Sequence, residues 1–389
     1  MEIAATNDTK NSTLTPVAGL SFFAVASGFL MSLIPLSLSS FGLELSLVSW
    51  LASVFYLGIL CGTLTVESVV SRCGHRIALV AFLALLTLTI IGMLIWPNAG
   101  MWLAMRFIAG IAVAGVFVVV ESWLLMADTA KARAKRLGLY MASLYGGSAI
   151  GQLAIAPLGV VGMLPYFSVM AFLILAMMPP LLIKRGQPVM IKHQKFNIHE
   201  LTKLSKPAVL GCLVSGLLLG PIYGIMPSYI SAKIGSPEQT GTLMATIILG
   251  GMLVQPLVSY LSTRMGKHLL MALFCLLGLV GIVGILESQT FALQSISYFT
   301  VGAASFALYP IAITLACETL PIAKIVSATE IMLLSYSVGS VVGPQLAVNL
   351  FDSPNQVILY LGFCFLTTCL YMLMSSSAKI HSGQNPIAG

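Results

Sequence analysis

Two residues of opposite charge interrupt one long apolar stretch. Arg106 and Glu121 are the charged residues of Met101–Met126, MWLAMRFIAGIAVAGVFVVVESWLLM. As a helix this run is about 39 Å long, enough to cross a hydrocarbon core of about 30 Å with some tilt. The pair is fifteen positions apart, so the two azimuths differ by only about 60°. One helix face thus offers a cation toward one membrane surface and an anion toward the other. Either charge would be costly against lipid, so each is expected to face other helices or water. A carboxylate there can take up and release a proton, because apolar surroundings penalise its charged form. Arg106 can bind an anionic substrate group or tune the protonation of its neighbours. The structural reading of the same residues is that Arg106 snorkels to the interface and Glu121 closes the helix end. Gly110, Ala114 and Gly115 on the same run let a neighbouring helix approach closely.

Few other side chains compete for chemistry. The cysteines (Cys61, Cys73, Cys212, Cys275, Cys317, Cys364, Cys369) have no paired spacing and no CxxC, and read as small buried hydrophobes. The histidines (His75, His193, His199, His268, His381) all avoid the middle of an apolar run, so a histidine proton relay is not expected. No helix supplies a nucleophile with its base, or a His/carboxylate metal cluster, so an enzyme, a metal and a cofactor are not expected. No GxxxxGK[ST] string points to ATP hydrolysis.

The elements that must position Arg106 and Glu121 follow from composition. Of 389 residues 58% are hydrophobic and 8% charged, against about 25% charged in a soluble domain. Twelve apolar runs can be marked, near 16–41, 45–68, 77–96, 99–126, 137–160, 164–183, 207–232, 240–262, 268–286, 291–317, 326–350 and 356–375. The expected fold is an all-α membrane protein of twelve transmembrane helices in two six-helix bundles, 16–183 and 207–375. They are expected to be joined by a basic linker, 184–206, where Asn197 could cap a short surface helix. Short tails, 1–15 and 376–389, complete the chain, and no cleavable signal peptide is evident.

The two halves repeat at a shift of 192 positions. Gly19, Gly28, Pro35 and Gly58 meet Gly211, Gly220, Pro227 and Gly250. Arg72, Gly74, Gly92 and Gly110 meet Arg264, Gly266, Gly284 and Gly302. Gly147, Ser148 and Gly151 meet Gly339, Ser340 and Gly343. An even number of helices per half predicts a parallel repeat about an axis along the membrane normal. All Lys and Arg except Arg106 and Lys233 fall on one side of this arrangement. That side is expected to be cytoplasmic, and with it both termini and the linker. The net charge of +7 is therefore a topology signal, and nucleic acid is not an expected partner.

The loop after the second run reads Ser71-Arg72-Cys73-Gly74-His75-Arg76, and its counterpart reads Thr263-Arg264-Met265-Gly266-Lys267-His268. In both, a glycine is expected to make a tight turn beside surface cations. These loops resemble the signature of the major facilitator superfamily, Gly then Asp-Arg-x-Gly-Arg-Arg. Here Glu67 replaces the leading Gly and Ser71 the Asp, so that Glu67 or Asp128 would have to pair with Arg72 or Arg133. Gly147-Ser-Ala-Ile-Gly151-Gln152 and Gly339-Ser-Val-Val-Gly343-Pro344 are small-xxx-small packing faces. They resemble the superfamily's fifth-helix motif associated with antiporters, with Gln152 standing where that motif has Pro. Arg106 with Gly110 resembles its fourth-helix Arg-xxx-Gly motif, linked to proton transfer. The strings RFIAGIA with VVVES, YGIMPSYI, LYPIAITLACE and LLSYSVGSVVGP resemble the YcaD-like bacterial subgroup across nearly the whole chain.

The resemblance implies a cavity lined by the first, fourth, seventh and tenth helices. Mapped onto this chain, it offers Ser27, Ser32, Arg106, Glu121, Tyr223, Tyr229, Tyr309 and Glu318. Tyr223 and Tyr309 each stand beside a Gly or Pro in an apolar helix, where phenols could orient a ligand or simply pack. Glu318 ends the tenth helix and is a second, weaker candidate, and Glu330 a third. The expected function is secondary active transport of a small solute by alternating access, coupled to protons, by a monomer in the cytoplasmic membrane. A non-transporting sensor or assembly factor is the alternative.

Overall fold

A computed structural model describes residues 13–125, 130–182, 205–318 and 322–381. Among these the chain is helical, with no strand. That is what lipid demands, since only internal hydrogen bonding satisfies a backbone that water cannot reach. We number the long helices in chain order. α1 is Leu14–Ser37. A single helical run, Leu47–Ile95, is divided at Gly74 into α2 and α3. α4 is Ala99–Leu125, α5 Ala130–Leu153 and α6 Leu164–Leu182. α7 is Lys206–Gly224, continued after Ile225 as Met226–Ile234. α8 is Pro237–Leu253, continued after Val254 as Gln255–Ser262. α9 is Lys267–Glu287, α10 Phe291–Cys317, α11 Ile322–Asn349 and α12 Gln356–His381.

Eleven helices among the described residues are long and apolar enough to cross a membrane. α5 is not one of them, because its first turns carry the basic residues of the 131–136 stretch. Large apolar side chains such as Leu64, Ile77, Leu88, Val280 and Phe363 are exposed. In water this would be untenable, whereas in lipid it is the outer surface.

The chain divides into two compact units. The first comprises Met1–Leu45 and Leu57–Gln194, the second Ser46–Tyr56 and Lys195–Gly389. In the first, α1 packs on α5 and α6. In the second, α7 packs on α11 and α10, and α9 on α10 and α12. The first turns of α2 belong to the second unit: Gln345 donates to Ser49 at 3.2 Å, and Ala52 lies against Gly224.

Glycines set how close the helices come. In the first unit a Cβ on Gly58 would strike the backbone of Phe107 and lie 3.1 Å from Gly110. In the second, a Cβ on Gly250 would strike Phe299, the residue 192 positions on from Phe107. Gly302, the counterpart of Gly110, meets the backbone of Ile247 on α8.

Two loop expectations are corrected. Gly74 has φ 76° and ψ 160°, a region that side chains rarely adopt, so glycine is required there. Gly266 has φ −61° and ψ 128°, ordinary extended backbone before α9. The second loop therefore turns without needing a glycine. Cys73 is exposed beside the Gly74 break rather than buried, whereas Cys212, Cys275, Cys364 and Cys369 are buried. The Glu67 and Arg133 side chains, Asp128, the 184–204 part of the linker with Asn197, and the tails before 13 and after 381 lie outside the described residues.

Candidate functional site

The charged pair sits on α4 as the apolar run requires, but in different surroundings. Arg106 is half-buried, with its Nε shielded from solvent. Glu121 is exposed, while Val119, Val120 and Trp123 around it are buried. Val119 and Val120 therefore face the interior of the unit, Val118 is half-buried, and α4 turns the carboxylate away from the buried pair. Across helices, Tyr140 on α5 is buried and within electrostatic reach of Glu121.

The next residue on α4, Ser122, points to a different helix. Its Oγ lies 3.1 Å from Nε2 of His75 in the first turn of α3. His75 is 1% exposed, and its ring stands edge-on to Trp123 with centroids 6.0 Å apart. Sequence reasoning missed this contact. The available signal was the place of His75 directly after a glycine turn, which buries it against the end of α4. Nearby, Arg76 donates to the carbonyls of Pro180 and Leu181, the latter at 2.9 Å. A guanidinium thus satisfies the last orphan carbonyls of α6. Arg72 is exposed.

The packing motifs do what their spacing implies. A Cβ on Gly147 would crowd Ala24 at 2.7 Å, and one on Gly151 would come within 2.6 Å of the Phe29 nitrogen, so α5 lies backbone-to-backbone on α1. Gln152 is fully buried in this seam. It accepts from Ser32 at 2.6 Å and donates to the Gly28 carbonyl at 2.6 Å. In the second unit Gly339 and Gly343 press α11 onto α7, with Leu217 N 2.9 Å from a Cβ on Gly339.

The tyrosines fall into two neighbouring contacts within the second unit. Tyr223 on α7 meets Phe306 on α10 edge-to-face, with centroids 5.8 Å apart. Tyr309, one turn further along α10, meets Tyr336 on α11 at 5.2 Å. All three tyrosines are half-buried. Tyr229 donates to Asn355 at 3.1 Å, and the Lys233 ammonium lies 5.9 Å from its ring. Glu318 accepts from Lys267 at 2.8 Å, so this carboxylate is ion-paired at the helix end. Arg264 stacks on Tyr260 at 4.4 Å.

A family profile described as the Major Facilitator Superfamily matches residues 17–344. The chain belongs to that superfamily. Its curated relatives include the uncharacterised MFS-type transporter YcaD of Salmonella enteritidis PT4, 30% identical over 376 residues. That match covers 95% of this chain and 96% of the relative. The uncharacterised MFS-type transporter Ent638_1421 of Enterobacter sp. strain 638 is 30% identical over 92% of this chain and 93% of its own. Among solved structures, a mutant of the nucleoside transporter NupG aligns with a TM-score of 0.77 at 11% identity, covering 93% of this chain and 98% of NupG. A bacterial homologue of the human lysosomal transporter Spinster, in an inward-facing and occupied conformation, aligns with a TM-score of 0.68 at 12% identity over 96% of each chain. At such identities the structures establish the superfamily fold. The YcaD relatives extend the likeness to sequence across nearly the whole chain, as the strings around Arg106 and Tyr309 imply.

The first unit holds the ionisable chemistry, Arg106 and Glu121 on α4, with His75 and Tyr140 beside the end of that helix. The second unit holds aromatic surface on α7, α10 and α11. Among the described residues no group of three or more His, Cys, Asp or Glu side chains could hold a metal ion.

Proposed function

We propose that this major facilitator transporter is a secondary active carrier of a small solute, driven by protons and working by alternating access as a monomer in the cytoplasmic membrane. Glu121 carries the coupling proton, and Arg106 binds an anionic group of the solute or tunes its surroundings. Tyr223 and Tyr309 orient the solute through their phenols. Both termini and the 184–206 linker face the cytoplasm. The observation that supports this reading is the exposed carboxylate of Glu121 on an apolar membrane helix whose other charged residue is Arg106. A charge there is tolerated only where water or a polar path reaches it, and such residues mark ion pathways. Glu318 is the weaker candidate, since Lys267 already neutralises it.

The test starts from cargo. Untargeted metabolite comparison of cells lacking and overproducing the protein nominates solutes, and proteoliposomes then report their uptake. Glu121→Gln is expected to abolish accumulation driven by a proton gradient alone while leaving solute counterflow largely intact. If the Gln variant still accumulates solute under that gradient, Glu121 is not the carrier. Reporter fusions at Gly389 and near Gln194 check the orientation, and periplasmic activity at either overturns it.

A further inference from the structure

We propose that His75, acting through Ser122, is a positioning residue for Glu121, locking the turn of α4 that presents the carboxylate. The proposal rests on the reading of Glu121 as the proton carrier.

The hydrogen-bond directions can be assigned from the geometry. Ser122 Oγ lies 2.6 Å from the Val118 carbonyl and 3.1 Å from that of Val119. A hydroxyl has one proton, and the short bond to Val118 takes it. Toward His75 the same oxygen can therefore only accept, so the imidazole donates from Nε2 across 3.1 Å. The other ring nitrogen, Nδ1, is buried and has no partner among the described residues. Protonating Nδ1 as well would bury a charge and an N–H with no acceptor, which is costly. Both ends of the ring thus favour one neutral tautomer, with the proton on Nε2. Burial at 1% exposure and the edge of Trp123 leave the ring little freedom.

Ser122 and Glu121 are adjacent on α4, so their side chains diverge by about 100° around the helix. The α3 imidazole holds one side of the turn, and Glu121 stands within reach of Tyr140 of α5 on another. The second unit provides an internal control. At a shift of 192, Ile313 stands in place of Glu121, Thr314 in place of Ser122 and Lys267 in place of His75. Thr314 makes the same backbone bond, to the Pro310 carbonyl at 2.8 Å, but is exposed. Lys267 bonds to Glu318 instead. The tie between the third helix of the unit and the hydroxyl of its fourth is thus present in the unit that has the carboxylate and replaced in the unit that lacks it.

The experiment uses the full chain in lipid and protons as the only ligand. Infrared difference spectra across a pH titration report the C=O stretch of protonated carboxylic acids, and Glu121→Gln identifies the Glu121 band by its loss. His75→Leu and Ser122→Ala are expected to shift and broaden that band. His75→Gln, whose amide can still donate to Ser122, is expected to keep it near the wild-type position. Nitrogen NMR of labelled histidine is expected to show the Nε2–H tautomer for His75 and to lose that signature in Ser122→Ala. If His75→Leu fails to fold, Ser122→Ala decides. An unshifted Glu121 band in Ser122→Ala, or an Nδ1–H tautomer in the wild type, overturns the positioning role and leaves the carrier reading intact. If Glu121→Gln removes no band, the carrier reading falls and the positioning role falls with it.

Discussion

The α1–α5 seam of the first unit and the α7–α11 seam of the second are built on the same glycine register and filled with different chemistry. In both, glycines bring two helix backbones together: Gly28, Gly147 and Gly151 in one, Gly220, Gly339 and Gly343 in the other. In the first seam Gln152 bonds Ser32 and the Gly28 carbonyl. In the second those positions are Pro344 and Gly224. Neither can make a side-chain hydrogen bond. Gly224 instead receives Ala52 from the first turns of α2, and the helical run breaks one residue later at Ile225. α1 runs unbroken to Ser37, although Pro35 lies in its last turn. The lesson is that the repeat conserves steric slots, which depend on residue size at fixed spacing. Polar content is free to diverge, making one seam a hydrogen-bonded strut and the other a seam next to a bend.

The largest expected effect comes from filling the slots. A Cβ on Gly151 meets backbone of α1, including the Phe29 nitrogen at 2.6 Å, whereas one on Gly343 meets Leu217 O at 2.9 Å and Pro221 Cδ at 3.0 Å. Overpacking costs about 1–3 kcal/mol, and more where backbone must yield. Gly151→Val is expected to leave little folded protein, and Gly343→Val to fold with a lowered thermal midpoint. Size-exclusion chromatography after heating measures both, and equal losses would break the comparison. Next comes the strut itself. Gln152→Leu strands the Gly28 carbonyl and the Ser32 hydroxyl in a buried seam, at about 1–3 kcal/mol. Pro344→Ala, which restores a backbone N–H to a helix, is expected to be neutral or slightly stabilising. Thermal midpoints of the two variants, taken side by side, test whether polarity separates the seams. The smallest effect is at the helix ends, where Lys267–Glu318 in the second unit takes the place of the His75 tie in the first. A double-mutant cycle with Lys267→Met and Glu318→Gln is expected to give about 0.2–1 kcal/mol of coupling, as for other solvent-accessible ion pairs. A larger value would mean that this pair pins its unit as firmly as Gln152 pins the other.

Much of this architecture was legible in the chain. The glycine register, the helical runs and the charged pair on α4 are properties of residue type and spacing, and residue type decides what lipid will accept. The Gly74 turn was legible for the same reason, since a loop of that length forces an abrupt reversal. The Gly266 turn was misread because an identical residue in an equivalent loop does not imply an identical dihedral angle. His75 was passed over because its position relative to a helix middle says nothing about what covers it.

The sequence by itself determined that this is a helical membrane protein of repeated halves with few intramembrane charges. Those conclusions need only the cost of charge and unsatisfied backbone in hydrocarbon, which acts on every residue independently of its partners. Only the tertiary structure decided which side chains meet. Gln152 with Ser32 spans 120 positions of chain, Lys267 with Glu318 spans 51, and His75 with Ser122 spans 47. Such pairs depend on the rotation and register of one helix against another. Interlocking side-chain surfaces set these, and no local pattern along the chain encodes them.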